Sequence, residues 1–265
     1  MRARRTILVT VAGGLAGLLV LAGVVVVVLA PRHGAGLFPD AAGSGPSWAP
    51  AGAAPVAASS ASGSGAGSGS GSGAAGIAGL VDPAWATAQA TATGIPRLAV
   101  LAYAGAALAK AQGAPTCKLS WTTLAAIGEI ESGHGRHGGS SIGPDGTVTP
   151  PIYGVALNGD GVALIPDSDH GTIDGDPAAD RAVGPMQLIP QTWRNWHTDG
   201  NADGVENPQN IFDAVMSTAN YLCRASTALD TEHGWRAAIA AYNSAGSYLR
   251  KVARAAVAYN AAARA

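Results

Sequence analysis

Two glutamates two positions apart close the run Leu124-Ala125-Ala126-Ile127-Gly128-Glu129-Ile130-Glu131-Ser132-Gly133. Helical spacing puts Leu124, Ile127 and Glu131 on one face, while Glu129 falls about 140° away from Leu124. Glu131 therefore occupies a position where an apolar residue is expected. Gly133 is expected to end the helix, leaving Glu131 in its last turn. Burial and the negative end of the helix dipole both disfavour a carboxylate, so both raise its pKa. A carboxyl that keeps its proton at neutral pH is what general acid catalysis requires. The competing reading is a Glu131 that snorkels to solvent or pairs with Arg136.

Three further stretches carry groups suited to a site. Gly184-Pro185-Met186-Gln187 presents an amide with two donors and an acceptor, beside Met186 and a glycine that admits close backbone approach. Ala241-Tyr242-Asn243 ends a helical pattern in an aromatic ring and an amide, which suit the faces and N-acetyl groups of sugars. Asp199-Gly200-Asn201-Ala202-Asp203-Gly204-Val205 has oxygen ligands at positions one, three and five, glycine at six, and a carbonyl at seven. That is calcium-loop spacing. Position twelve is Asn210 instead of a bidentate Glu, and Asp213 is the next carboxylate able to close the site. Plain Asp/Asn-Gly turns are the alternative.

The elements that must position these groups read as helices. Asp82-Pro83 opens one that runs to Thr93, and a second spans Pro96 to Gln112. The Glu131 helix begins near Ser120. Further helices are expected at Pro190–Trp193, at Pro208–Ala225 with Asn207 as cap, at Gly234–Tyr242 and at Gly246–Ala262. Residues 136–183 form a long Gly/Pro/Asp-rich loop with short extended pieces and no convincing sheet; a loop of that length in a compact domain is usually functional. Its aspartates, Asp174 and Asp176 foremost, are candidate second carboxylates facing Glu131. The fold class is mainly α.

The chain has 265 residues, 48% of them hydrophobic, and a formal net charge of −1, which argues against nucleic acid as a partner. Arg2, Arg4 and Arg5 precede an apolar run to Ala30, long enough for a span of about 30 Å. Residues 1–30 read as a signal anchor that leaves the rest outside the cytoplasm at the cell membrane. Cleavage after Ala30, giving a secreted protein, is the alternative. Residues 31–79 are rich in Gly, Ser, Ala and Pro and read as a flexible linker, and residues 80–265 as the domain. In an exported domain, Cys117 and Cys223 are expected to form a disulfide, two free thiols being the alternative.

Taken together, Glu131-Ser132-Gly133, Gly184-Pro185-Met186-Gln187, the loop from Asp199 to Asp213 and Ala241-Tyr242-Asn243 occur in the order seen in lytic murein transglycosylases. Residues 80–262 resemble the membrane-bound lytic transglycosylase B branch, and its membrane-tethered actinobacterial members most. The resemblance implies a lysozyme-like, mostly helical domain that cleaves the β-1,4 bond between N-acetylmuramic acid (MurNAc) and N-acetylglucosamine (GlcNAc) in peptidoglycan strands and leaves 1,6-anhydro ends. Glu131 would be the single acid/base, and Ser132, Met186, Gln187, Tyr242 and Asn243 would hold the glycan or orient Glu131. It implies a structural calcium ion held by Asp199, Asn201, Asp203, Val205 and Asp213, no cofactor for catalysis, and a monomer. A hydrolytic muramidase and a non-catalytic peptidoglycan-binding domain are the alternative readings.

Overall fold

The computed structural model describes residues 45–59 and 76–264. The expected anchor, residues 1–30, lies outside them, as do residues 31–44 and 60–75 of the expected linker. Among the described residues there are seven α-helices: α1 Pro83–Thr93, α2 Arg97–Gly113, α3 Trp121–Ser132, α4 Pro190–Trp196, α5 Ile211–Ala225, α6 Glu232–Tyr242 and α7 Gly246–Ala262. No single one of them is long and apolar enough to cross a membrane.

Helices α1, α5 and α6 each start at a side chain that accepts a first-turn amide. The Asp82 carboxylate accepts the Trp85 amide at 2.7 Å, with Pro83 at the first helical position. Helix α2 is buried continuously from Ala99 to Ala107, as a helix apolar on all sides must be. It packs against α1, α3 and α5, while α3 also packs on α7. Trp121 and Trp235 are enclosed in this core, and at about 25 cal/mol per Å² each ring's burial contributes roughly 4–6 kcal/mol. The Trp235 indole N–H is satisfied by Thr123 Oγ1 at 3.1 Å.

Helix α5 begins three residues later than a cap at Asn207 would allow. Asn210 caps it, its side chain accepting the Phe212 amide at 3.0 Å. Gln209 is drawn instead into the long loop: its side chain accepts from the Ile152 amide at 3.0 Å and donates to the Ile152 carbonyl at 2.9 Å. The loop also contains two small antiparallel ribbons. Strands β1 (Ser141–Ile142) and β2 (Val148–Thr149) pair Ile142 with Val148, and β3 (Tyr153–Ala156) and β4 (Arg181–Val183) pair Tyr153 with Val183. Strands of two to four residues are too short to show an alternating pattern.

Cys117 and Cys223 form the expected disulfide, with Cα atoms 5.3 Å apart and a sequence separation of 106. In the chain-entropy account, closing such a loop contributes about 4–5 kcal/mol.

Residues 45–59 fall inside the stretch that composition marks as linker, yet they lie on the domain. Ala49 is buried and Trp48 packs against the core. Asn260 Nδ2 donates to the Pro50 carbonyl at 2.8 Å, and Trp121 Nε1 to that of Ala53 at 3.2 Å. Beyond them, Asp82 N donates to Val56 O and Ala58 N to Leu80 O, both at 2.9 Å. Trp48, the buried Ala49 and these hydrogen bonds hold the segment in place, features that a composition averaged over 31–79 hides.

Candidate active site

Glu131 lies in the last turn of α3, which ends at Gly133 in the left-handed conformation (φ 58°). Leu124 and Ile127, on the same face, are fully buried, and Glu131 is 8% exposed. The Tyr248 hydroxyl donates to Glu131 Oε1 at 2.6 Å. Burial pushes the Glu131 carboxyl up to about 8, against the lowering effect of that hydrogen bond. Arg136 donates to the carbonyls of Gly133 and Gly94, so the pairing that would have tied Glu131 to Arg136 does not form.

Glu129 meets different partners. Its Oε2 lies 3.0 Å from His134 Nε2 and accepts from the Tyr259 hydroxyl at 3.4 Å. His134 is buried, with Tyr103 Oη 3.0 Å from its Nδ1. Burial holds the imidazole below its ordinary pKa although Glu129 pulls it up, and the His134 hydrogen bond holds Glu129 below its own. A neutral imidazole that donates from Nε2–H to Glu129 and accepts at Nδ1 from Tyr103 accounts for both directions. Glu129 is thus an ionised, structurally committed carboxylate.

The segment between Val183 and Leu188 forms a tight turn, closed by Val183 N to Leu188 O at 2.8 Å and Leu188 N to Val183 O at 3.1 Å. Gly184 has φ 74°, and a Cβ there would come 1.8 Å from the Pro208 carbonyl oxygen, so only glycine fits. Gln187 also adopts a left-handed backbone (φ 49°), which costs a non-glycine residue about 1–2 kcal/mol. Its Nε2 donates to the Gly184 carbonyl at 2.9 Å. Strain held in place by surrounding hydrogen bonds is common at functional sites.

Tyr242 joins this turn to α6. Its hydroxyl donates to the Met186 carbonyl at 2.5 Å, and its ring stacks on that of Tyr248, with centroids 6.4 Å apart and 12° between planes. Burial first, then the charge of Glu131, pushes both phenols well above their ordinary range, so both remain donors. The site residues expected from sequence therefore sort by accessibility. Met186 is fully enclosed, and it bears on the site through its carbonyl. Ser132 Oγ donates to the Pro185 carbonyl at 2.6 Å and accepts the Gly135 amide at 2.7 Å, which pins the end of α3 to the turn. Asn243 is buried and its Oδ1 accepts the Ala245 amide at 3.0 Å. Gln187 and Tyr242 line a surface pocket with Leu188, Ile189, Thr192 and Tyr221. Glu131 is not in its wall, so the pocket is a neighbour of the carboxyl and not its cleft. Tyr248 is the residue sequence reasoning missed; its only signal was a tyrosine in the first turn after the Asn243–Ala245 break.

The loop aspartates do not face Glu131. Asp174 accepts the amides of Asp176 and Arg181, and Asp176 pairs with the Arg181 guanidinium at 2.7 Å. No second carboxylate is among the groups that shift Glu131. In the Asp199 loop, Asn201 Nδ2 donates to Asp203 Oδ2 at 2.8 Å, and Asp199 accepts the amides of Asp203 and Gly204. These oxygens are the donor chemistry calcium prefers. Val205 is exposed. Asp213 is fully buried and accepts the amides of Gly200 and Asn201 through Oδ1 and of Asn207 through Oδ2. Burial pushes its carboxyl up to about 6, with the charge of Asp199 adding to the rise.

Residues 178–251 match the family model described as the transglycosylase SLT domain. No curated protein matches the chain, and no solved structure does. The matched residues run from just before β4 into α7 and include Gln187, Tyr242, Asn243, Tyr248 and the Asp199 loop; Glu131 precedes them. The segment that brings the Tyr248 hydroxyl to Glu131 is thus similar to transglycosylase SLT domains, a likeness that supports a lytic transglycosylase acting on peptidoglycan.

Proposed function

We propose that this chain is a peptidoglycan lytic transglycosylase that cleaves the MurNAc-GlcNAc β-1,4 bond, with Glu131 as the single general acid/base. The observation that carries the reading is the Glu131 carboxyl itself. It is buried, retains its proton to about pH 8 and has one phenol donor. In the first step its proton passes to the glycosidic oxygen as the C1–O bond breaks. The resulting carboxylate then takes the proton of the MurNAc 6-hydroxyl as that oxygen bonds to C1. No water is consumed and Glu131 ends as it began. Because the substrate supplies the nucleophile, the second carboxylate of ordinary glycosidases is unnecessary.

In this reading Tyr248 steadies the Glu131 carboxylate formed between the two steps, a charge-assisted hydrogen bond. Gln187 and Tyr242 hold the glycan, Asn243 fixes the break between α6 and α7 that presents Tyr248, and Ser132 and Met186 set the turn that carries Gln187. The likeness of the ordered motifs to the membrane-bound lytic transglycosylase B branch supports a lysozyme-like domain, and the apolar run within residues 1–30 supports anchoring at the outer face of the cell membrane. Calcium would be held by Asp199, Asn201, Asp203 and the Val205 carbonyl, as a structural ion. Asp213 would brace that loop from within through its amides.

Digestion of purified sacculi tests the reaction. Released muropeptides should carry 1,6-anhydro ends, lighter by one water than reducing ends. Reducing ends alone would replace the proposal with a hydrolytic muramidase, and no release with a binding domain.

A further inference from the structure

The long loop holds a second acidic group that the proposed reaction does not use. One carboxylate oxygen from each of Asp167, Asp169 and Asp180 lies within 4.8 Å of the others. That is the largest separation two oxygens can have while both touch one ion at a calcium–oxygen distance of about 2.4 Å. Asp180 is fully buried and Asp169 is 7% exposed. Asp180 is held in place from both sides of its carboxylate, by the Ser168 amide and the Ser168 hydroxyl, each at 2.8 Å. Asp167 Oδ1 accepts the amides of Asp169 and Gly171.

Asp169 supplies the independent observation. Its Oδ2 accepts the Ile173 amide, but its Oδ1 is buried without a hydrogen-bond partner among the described residues. A buried carboxylate oxygen left unsatisfied costs more than an unsatisfied neutral polar group, and like charges beside it add to the cost. The nearby cationic groups do not relieve it. Arg181 is held by Asp176, Arg194 donates to the Ser168 carbonyl, and His170, 3.5 Å from Asp167, is almost wholly exposed.

We infer that Asp167, Asp169 and Asp180 form a cation site, separate from the Asp199 loop, that takes calcium through carboxylate oxygens. Calcium suits it better than magnesium because its coordination is flexible and draws on several carboxylates, whereas magnesium demands near-octahedral geometry and keeps its waters. The ion would fasten the loop to β4, since Asp180 directly precedes Arg181–Val183 and the Gln187 turn follows Val183. Calcium would then stiffen the turn that Ser132 ties to the end of α3, without taking part in proton transfer.

Hydrogen exchange of the full-length protein, followed by mass spectrometry with calcium chloride or chelator, tests the site independently of any catalytic activity. Peptides covering residues 165–181 should exchange about tenfold more slowly at free calcium ten times the dissociation constant, the factor that linkage gives for a ligand binding only the closed loop. Asp169→Asn and Asp180→Asn should each abolish that slowing, whereas Asp199→Asn should preserve it. Unchanged exchange of these peptides in the unmutated protein, up to about 10 mM calcium, overturns the site. So does slowing that survives both substitutions in the loop. Should those variants fail to fold, the more exposed Asp167→Asn is the substitute, and the unmutated arm is decisive alone. Failure of the reaction assignment would appear in sacculus products and leave these exchange rates untouched.

Discussion

Glu129 and Glu131 sit two residues apart on one helix and live in opposite worlds. Glu131 is enclosed and accepts from the Tyr248 phenol, and burial holds its carboxyl at about 8. Glu129 is 21% exposed, and His134 and Tyr259 hold its carboxyl below the ordinary value of 4.5. The two-residue offset turns the side chains about 200° apart around the helix axis, so one meets α7's Tyr248 and the other the His134–Tyr103–Tyr259 group. What separates an acid from a structural anchor here is thus whether the neighbours favour the proton or the charge.

The sharpest way to break this comparison is to neutralise each glutamate in turn. Glu131→Gln should lose about 10²–10⁴-fold in sacculus-solubilising rate, the range general acid–base catalysis supplies, and a variant as active as wild type would end the assignment. The same substitution should stabilise the fold at alkaline pH. Glu131 binds its proton up to about 8 when folded and only to about 4.5 when unfolded. Wild-type stability therefore falls as pH rises between those values, by up to about 1.4 kcal/mol per pH unit. Glutamine has no such dependence, so urea melts of the two proteins should diverge above pH 4.5 and run parallel above pH 8.

Tyr248→Phe sharpens the contrast from the other side. The lost hydrogen bond had lowered the Glu131 pKa, so its removal moves the alkaline limb of the pH–rate profile upward, by about one to two units for a bond of 1.5–3 kcal/mol to a charged group. A limb that moves down, or stays, contradicts the role given to Tyr248.

The reason Glu131 could be picked out from sequence is that helical period and a terminating glycine are local facts. The same locality made α3, α6 and α7 readable to within two residues at either end, and two cysteines in an exported domain left one pairing. Tyr248 was not readable, because its bond to Glu131 spans 117 residues and nothing near Glu131 announces it. His134 met Tyr259 across 125 residues, equally unannounced. Gln187 in a left-handed backbone was hidden for a different reason: that conformation is normally signalled by glycine, and here the turn's hydrogen bonds impose it on a long side chain. Asn210 displaced Asn207 as the α5 cap because the long loop claims Gln209, a tertiary demand that a capping rule cannot see.

The smallest effect expected is the one that separates structure from chemistry most cleanly. Glu129→Gln removes a carboxylate that accepts from His134 and Tyr259, and loss of hydrogen bonds to a charge should cost about 1.5–3 kcal/mol of stability near pH 7. Because the folded pKa of Glu129 is depressed, that contribution is present above its unfolded value and is lost as pH falls through the folded one. The melting difference from wild type should accordingly shrink below pH 4.5, the reverse of the Glu131→Gln behaviour. Glu129 is not among the groups that shift Glu131, so the alkaline limb of the pH–rate profile should stay in place. If Glu129→Gln moved that limb as Tyr248→Phe does, the two carboxyls would be electrostatically coupled, and Glu131 would no longer count as an acid set by burial and one phenol.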